Sequence, residues 1–167
     1  MAGGRKPGEM SKVELYKRLH AQLKELLEGE RDFIASAANF AALIYHVLPE
    51  VNWAGFYFLK EGQLVLGPFQ GKTACTRIEL GRGVCGTAAQ RRQTVIAADV
   101  AKFPGHIACD GASRSEIVVP LIEAGELFGV LDLDSPTPAR FDANDQAGLE
   151  EMAATFVQGT DRTTPES

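Results

Sequence analysis

The chain has 167 residues, of which 45% are hydrophobic and 23% charged, and these proportions are typical of one globular domain with a sizeable core. Its net charge of −5 argues against non-specific binding to nucleic acid or to an anionic membrane surface. No apolar run approaches the roughly 20 residues of a membrane span, and "MAGGRKPGEM" lacks the apolar core of a secretory signal. We therefore expect a cytoplasmic protein, in which three cysteines indicate free thiols rather than a structural disulfide framework.

Two helices are predicted in the first third of the chain. Residues 11–30 carry apolar side chains at three- and four-residue spacing, and Gly29 marks the end of this helix. Residues 32–50 form the second helix, with Asp32 as its N-cap and Pro49 beyond its end.

Short strands separated by turn residues fill the middle of the chain, and a closing helix is predicted over 142–158. Helices at both ends with antiparallel strands between them predict an α+β domain, with one central sheet flanked by helices. The strands are expected over residues 53–60, 63–69, 76–80, 94–100, 116–122 and 126–134. The expected organisation is a disordered N-terminus (1–8), one domain (9–158) and a disordered tail (159–167).

The stretch "GRGVCG" (81–86) matches the pattern G-x-G-x-x-G. A dinucleotide-binding site would need a βαβ unit and an acidic residue about 20 positions later. The neighbouring strands form hairpins and Asp99 comes too early, so these glycines are better explained as the tight entry to a short helix. Cys85 would lie in the first turn of that helix, where we expect the helix N-terminus to lower its pKa.

The other two cysteines lie in polar surroundings. Cys75 stands between Lys72 and Arg77, which would favour its thiolate, although a small buried residue at a strand start is an equal alternative. Cys109 lies in a polar, glycine-containing loop, where exposure favours a reactive role. A zinc site is a weaker alternative, because the C-x2–4-C pairs of structural zinc sites are missing. Its ligands would be His106, Cys109, Cys75 and Cys85.

Three carboxylates are expected to converge on the last hairpin. Asp132 and Asp134 are two apart on a strand and so share a face. A three-residue loop at 123–125, with Gly125 left-handed, would place Glu116 opposite Asp132 on that face, whereas a two-residue loop would place it on the other. The order of the loop residues favours the longer loop. Crowded like charges raise at least one pKa, which predicts a proton donor beside a cation-binding acidic pocket.

Trp53 and Tyr57 lie on one face of the first strand, because they are four residues apart. They could form an aromatic wall of the same pocket. Ordinary core packing is an equal alternative for Trp53.

Five segments together resemble the free methionine-(R)-sulfoxide reductases, which are stand-alone GAF domains. The resemblance runs from about residue 30 to 157 and is carried by "NWAGFY", "GPFQGKTACTRI", "GRGVCGTAA", "FPGHIACDGASRSEIVVPLI" and "GVLDLDSP". It implies a central antiparallel sheet flanked by helices, and a homodimer. It also implies reduction of free L-methionine (R)-S-oxide to methionine, with thioredoxin regenerating the enzyme. Thiol chemistry of this kind requires no metal or organic cofactor.

The resemblance also implies a role for each cysteine. Cys109 corresponds to the position most often assigned as the nucleophile, Cys75 to the resolving cysteine, and Cys85 to an auxiliary thiol, although some members have been argued to use the Cys85 position. The thiol would become a sulfenic acid that a second thiol converts to a disulfide.

The remaining site residues implied by the resemblance are the substrate-site carboxylates and the aromatic side of the pocket. These are Glu116, Asp132, Asp134, Trp53 and Tyr57. The leaving oxygen of a sulfoxide also needs a proton, and we expect Glu116 to supply it. Small departures, such as "KTAC" and "CDGAS" where "KPAC" and "CDSAS" are commoner, remove no motif residue. The alternative from a different class is a GAF sensor that binds a small ligand, or senses oxidants through its thiols, without turnover.

Overall fold

The computed structural model describes residues 9–105 and 112–162 of the chain. The order of helices and strands within these ranges confirms the predicted α+β class. The elements are α1 (Lys12–Leu27), α2 (Phe33–Val47), β1 (Trp53–Lys60), β2 (Gln63–Gly71), β3 (Arg77–Glu79), α3 (Gly83–Arg91), β4 (Val95–Ala97), a 3₁₀ turn (Val100–Lys102), β5 (Ser115–Glu123), β6 (Glu126–Ser135) and α4 (Ala143–Gly159). None of the described helices is long and apolar enough to cross a membrane.

Side-chain caps set the start of the first two helices. The Ser11 side chain accepts a hydrogen bond from the Glu14 amide, and the Asp32 carboxylate accepts one from the Ala35 amide. Each cap satisfies an amide that has no partner inside the helix, so both predicted helix starts are confirmed. The inner face of α1 buries Tyr16, Leu19, Leu23 and Leu27.

The six described strands form one antiparallel sheet in the order β3-β2-β1-β6-β5-β4. Helices α1, α2 and α4 cover one face, and α3 covers the other. Strand alternation sends Phe56 into the larger core under α2 and α4, and Tyr57 into the smaller core under α3. The α3 face is the one that receives the predicted site residues.

A two-residue turn joins β5 to β6, so the predicted three-residue loop is wrong. Glu123 pairs with Glu126, and the residues between them, Ala124 and Gly125, have φ values of 50° and 78°. Positive φ at both central positions indicates a type I′ turn, whose twist suits the flanking strands.

A bulge in β6 follows this turn. Ile122 pairs with Leu127, but Leu121 pairs with Gly129, so Phe128 is an extra residue on β6. An extra residue reverses the alternation of every side chain beyond it.

The bulge therefore decides which face Glu116 occupies. Glu116 pairs with Asp134, not with Asp132 as predicted. A two-residue turn alone would have sent Glu116 to the opposite face, and the bulge returns it to the face of the two aspartates. The predicted pairing is wrong, but the predicted face is correct.

A buried carboxylate, Asp145, ties the terminal helices together. It is fully buried and accepts hydrogen bonds from the Tyr16 hydroxyl at 2.7 Å and from Lys12 Nζ at 2.7 Å. The Arg140 guanidinium donates to Asp145 at 3.2 Å and to the Pro49 carbonyl at 3.1 Å. This network joins α1, the start of α4 and the segment after α2.

The described structure continues past the domain end predicted at residue 158. Asp161 pairs with Arg31 at 2.8 Å, and Arg162 pairs with Glu123 at 2.6 Å. These two pairs fix the chain after α4. The predicted disorder of residues 1–8 and of the chain after Arg162 lies outside the described residues.

We expect Asp145→Ala to lower the free energy of unfolding by about 3–5 kcal/mol, because it removes the buried carboxylate partner of Arg140 and leaves only the exposed Glu50 at 3.7 Å. Asp161→Ala is the matched control. Its partner Arg31 is exposed, so solvent screens the pair and the loss should be much smaller. Urea unfolding followed by circular dichroism measures both. Equal losses in the two variants would contradict this account of the network.

Candidate active site

A cavity lies between α3 and the sheet face that carries the carboxylates. Strand residues form its floor, and the first turn of α3 forms one side. Its lining residues are Trp53, Tyr57, Ala74, Ile78, Arg82, Gly83, Val84, Cys85, Val100, Ser113, Glu116, Asp132 and Asp134.

The three predicted carboxylates all line this cavity. Asp132 and Asp134 are alternate residues of β6, and Glu116 lies opposite Asp134 on β5. Asp132 is only 4% exposed, and its Oδ1 atom is buried with no hydrogen-bond partner in the part of the chain that the structure describes. The predicted convergence is therefore present, and a buried acceptor remains available to a bound donor.

Burial changes the acidity of these groups. It raises the pKa of Glu116 well above its ordinary value, and the charge of Asp132 adds to the shift. Burial likewise raises the pKa of Asp132, and the charge of Asp134 adds to it. A carboxyl in this cavity can hold a proton at a pH where an exposed one cannot.

Cys85 lies in the first turn of α3, as predicted, but its environment does not favour a thiolate. It is 4% exposed, and its Sγ donates to Glu116 Oε2 across 3.8 Å. Burial raises the pKa of the Cys85 thiol, and the charges of Asp132 and Glu116 raise it further. The expected lowering of this pKa by the helix N-terminus is therefore wrong. Desolvation and two nearby carboxylates outweigh the helix dipole.

Cys75 and Cys85 are in different redox states. Cys75 is disulfide-bonded, whereas Cys85 is a free thiol. In this form Cys75 has no thiolate for Lys72 or Arg77 to stabilise. Cys109 lies outside the described residues.

The predicted aromatic pair lies in the cavity wall. Trp53 and Tyr57 are each 2% exposed and stack with ring centroids 5.9 Å apart. Their polar atoms bind the segment that carries Cys75. Trp53 Nε1 donates to the Lys72 carbonyl at 3.0 Å, and the Tyr57 hydroxyl donates to the Cys75 carbonyl at 3.1 Å. Both expectations hold for Trp53, which packs in the core and faces the cavity.

The glycines of "GRGVCG" shape the entry to α3, as predicted. Gly81 and Gly83 have φ values of 86° and 64°, which favour glycine. At Gly86, a Cβ atom would lie 2.4 Å from the Glu79 carbonyl oxygen. Close packing of α3 against the end of β3 therefore requires this glycine.

Several lining residues were not predicted. Ile78 could have been found, because it is the one buried residue of the short alternating strand β3. Val84 and Val100 carry no pattern that distinguishes them from core residues. Ser113 also lines the cavity, with a buried hydroxyl that has no hydrogen-bond partner within residues 9–105 and 112–162. The run "SRSE" signalled polarity there, but not which side chain turns inward.

A metal ion would find different donors from those of the zinc alternative. The disulfide makes Cys75 unavailable in this form, and His106 and Cys109 lie outside the described residues. One atom each from Cys85, Glu116 and Asp132 lies within 4.8 Å of the other two.

The chain is similar in sequence and in structure to known proteins. The family model described as "GAF domain" matches residues 35–159. The chain is 52% identical over 145 residues to the free methionine-R-sulfoxide reductase of Escherichia coli, covering 87% of this chain and 88% of that protein. It is 43% identical over 152 residues to the yeast protein of the same name, covering 86% of this chain and 84% of the yeast protein. A solved structure of free methionine-R-sulfoxide reductase from Neisseria meningitidis, in complex with its substrate, is also similar. It shares 43% identity at a TM-score of 0.87, covering 91% of this chain and 92% of that one.

We expect Asp132→Asn to stabilise the fold at neutral pH. Burial raises the pKa of Asp132 above its unfolded value of about 3.9. The contribution of the protonated carboxyl to folding stability is therefore fully present below that value and is lost as the pH rises through the folded pKa. Asparagine cannot ionise, so the gain in unfolding free energy over wild type should shrink towards acid pH.

Asp161→Asn is the control with the opposite sign. A hydrogen bond from Arg31 lowers the pKa of Asp161, so this variant should lose stability at neutral pH and match wild type in acid. Urea unfolding at several pH values measures both. A neutral-pH loss for Asp132→Asn would contradict the argument.

Proposed function

Because this chain belongs to the free methionine-R-sulfoxide reductases, a family of GAF domains, we propose that it reduces free methionine (R)-sulfoxide to methionine with cysteine thiols as the source of electrons. One observation carries the proposal. A disulfide-bonded cysteine, Cys75, is held by Tyr57 at a cavity in which three carboxylates converge. A thiol reductase of a free amino acid needs a redox-active cysteine, an acid and a group that binds the α-ammonium.

We assign the nucleophile to Cys109. Cys85 is a poor candidate, because burial and the neighbouring carboxylates disfavour its thiolate. Cys75 is disulfide-bonded and the chain has three cysteines, which supports Cys109 as its partner. The thiolate attacks the sulfoxide sulfur, and the sulfoxide oxygen takes up a proton. The oxygen then passes to the cysteine as a sulfenic acid, and methionine leaves.

The environment of Glu116 suits this residue to act as the acid in this step. Its raised pKa allows it to hold a proton, and it lies in the cavity beside Asp132. A buried carboxyl of this kind can protonate the sulfoxide oxygen as the sulfur–oxygen bond weakens.

The two aspartates support recognition of a free amino acid. A free amino acid carries an α-ammonium group, which a residue within a protein chain lacks. Asp132 and Asp134 lie on one strand face, and the unpartnered Oδ1 of Asp132 can accept a hydrogen bond from that ammonium. Trp53 and Tyr57 present an apolar surface on which the side chain of the sulfoxide can pack.

Recycling follows from the disulfide. The Cys75 thiol attacks the sulfenic sulfur, water leaves, and a disulfide forms. A dithiol reductant then returns both cysteines to thiols. We propose thioredoxin as this reductant and a homodimer as the assembly, as the family resemblance implies. A reducing cytoplasm suits three functional thiols. The cycle uses no metal or organic cofactor.

The cysteine roles predict different product yields. Reduced Cys75→Ser should release about one methionine per site and then stop, because its sulfenic acid has no resolving thiol. Cys109→Ser should release none. Rapid mixing with free methionine sulfoxide, with and without thioredoxin, measures both. Normal turnover by Cys109→Ser, together with no release by Cys85→Ser, would move the nucleophile to Cys85.

Glu116→Gln should slow the chemical step by roughly 10²–10⁴-fold, the usual cost of losing a general acid, with a smaller effect on substrate affinity. Single-turnover methionine release isolates this step from recycling. Asp134→Asn is the matched comparison and should mainly weaken binding. If Glu116→Gln weakens binding and leaves the single-turnover rate unchanged, Glu116 is a binding group rather than the acid.

A further inference from the structure

Three donor atoms of different chemistry meet in the cavity. They are the Cys85 sulfur and one carboxylate oxygen each from Glu116 and Asp132, and all lie within 4.8 Å of one another. Cys85 and Asp132 are each 4% exposed, and Glu116 is half-buried. The three groups come from α3, β5 and β6, so the packing of α3 on the sheet holds them together.

These separations suit a tetrahedral metal ion. With zinc–sulfur and zinc–oxygen bonds of about 2.3 and 2.0 Å, neighbouring ligand atoms lie about 3.5 Å apart. Cys85 Sγ and Glu116 Oε2 are already 3.8 Å apart. The cavity leaves space for water as a fourth ligand.

A second observation also points to a bound cation. Among the described residues, Asp132 Oδ1 is buried without a hydrogen-bond partner, in a residue that lines the cavity. An unpartnered buried acceptor is costly unless a donor or a cation occupies the space before it.

We infer that Cys85, Glu116 and Asp132 form a binding site for a thiophilic divalent cation such as Zn²⁺ or Cd²⁺. The thiol proton passes to solvent when the sulfur binds the metal. The charge of the ion offsets the repulsion between the thiolate and the two carboxylates. A thiolate ligand favours Zn²⁺ and Cd²⁺ over Mg²⁺ and Ca²⁺, which prefer oxygen ligands alone.

Cys75 is not among the three ligands, so the site does not depend on the disulfide of Cys75. Because the ligands line the cavity that also holds the proposed substrate site, the ion acts as an inhibitor that competes with the substrate. This consequence rests on the proposed function, whereas binding of the ion does not.

Cd²⁺ alone is the probe, and the full-length Cys75→Ser/Cys109→Ser chain is the protein, because Cys85 is then its one thiol. Titration should produce the thiolate-to-cadmium absorption with a 1:1 end point. The matched control with all three cysteines replaced by serine should lack the absorption and bind at least about tenfold more weakly, since even loss of an outer-shell partner costs that much.

Adding Asp132→Asn or Glu116→Gln to the Cys85-only chain tests the carboxylates. Each should weaken Cd²⁺ binding at least about tenfold, and Asp134→Asn should weaken it less. Circular dichroism identifies which variants fold, and one folded carboxylate variant is enough to test the carboxylate ligands. Absence of the absorption in the Cys85-only chain, or affinity unchanged in a folded carboxylate variant, would overturn the site. These readouts need no enzyme activity, so failure of the reductase assignment would leave them intact.

Discussion

The Glu116 and Asp132 carboxylates share one buried space with the Cys85 thiol, and burial opposes the ionisation of all three groups. The charge of Asp132 adds to this effect for both Glu116 and Cys85. The rest of the site depends on this crowding. A protonated carboxyl and a protonated thiol can lie beside apolar α3, whereas several buried charges could not. The crowded site therefore lowers stability locally, and it supplies an acid and a cation-binding pocket. The apolar core on the opposite face of the sheet and the Asp145 network provide the stability that allows this.

Backbone irregularity, rather than a regular hairpin, brings the carboxylates to one face. The type I′ turn and the bulge at Phe128 each change the alternation of β5 relative to β6, and the two changes cancel. The bulge also lies where β6 meets β1. A Cβ at Gly129 would stand 2.4 Å from the Tyr57 carbonyl oxygen, so only glycine allows this approach. The strand that carries the acids is thereby packed against the strand that carries Trp53 and Tyr57.

The aromatic pair has two structural tasks. Its ring faces line the cavity, while its polar atoms bind the backbone of the segment around Cys75. The same two side chains thus connect the surface proposed for the substrate with the disulfide-bonded cysteine. Cys85 stands apart from this arrangement, because its buried position among acids suits hydrogen bonding or metal ligation rather than nucleophilic attack.

Sequence alone determined the Asp32 helix cap, the strand alternation and the shared face of Asp132 and Asp134, because these depend on local spacing. It also gave the correct face for Glu116, although through the wrong pairing, since nothing local signals the bulge at Phe128. The acidity of Cys85 could not be predicted from its position at a helix N-terminus. That position lowers a thiol pKa when the thiol is exposed, and only the packing of α3 on the sheet shows that Cys85 is buried beside Asp132 and Glu116. Desolvation and like charge act through space, and distances between segments far apart in the chain exist only once the tertiary structure has formed.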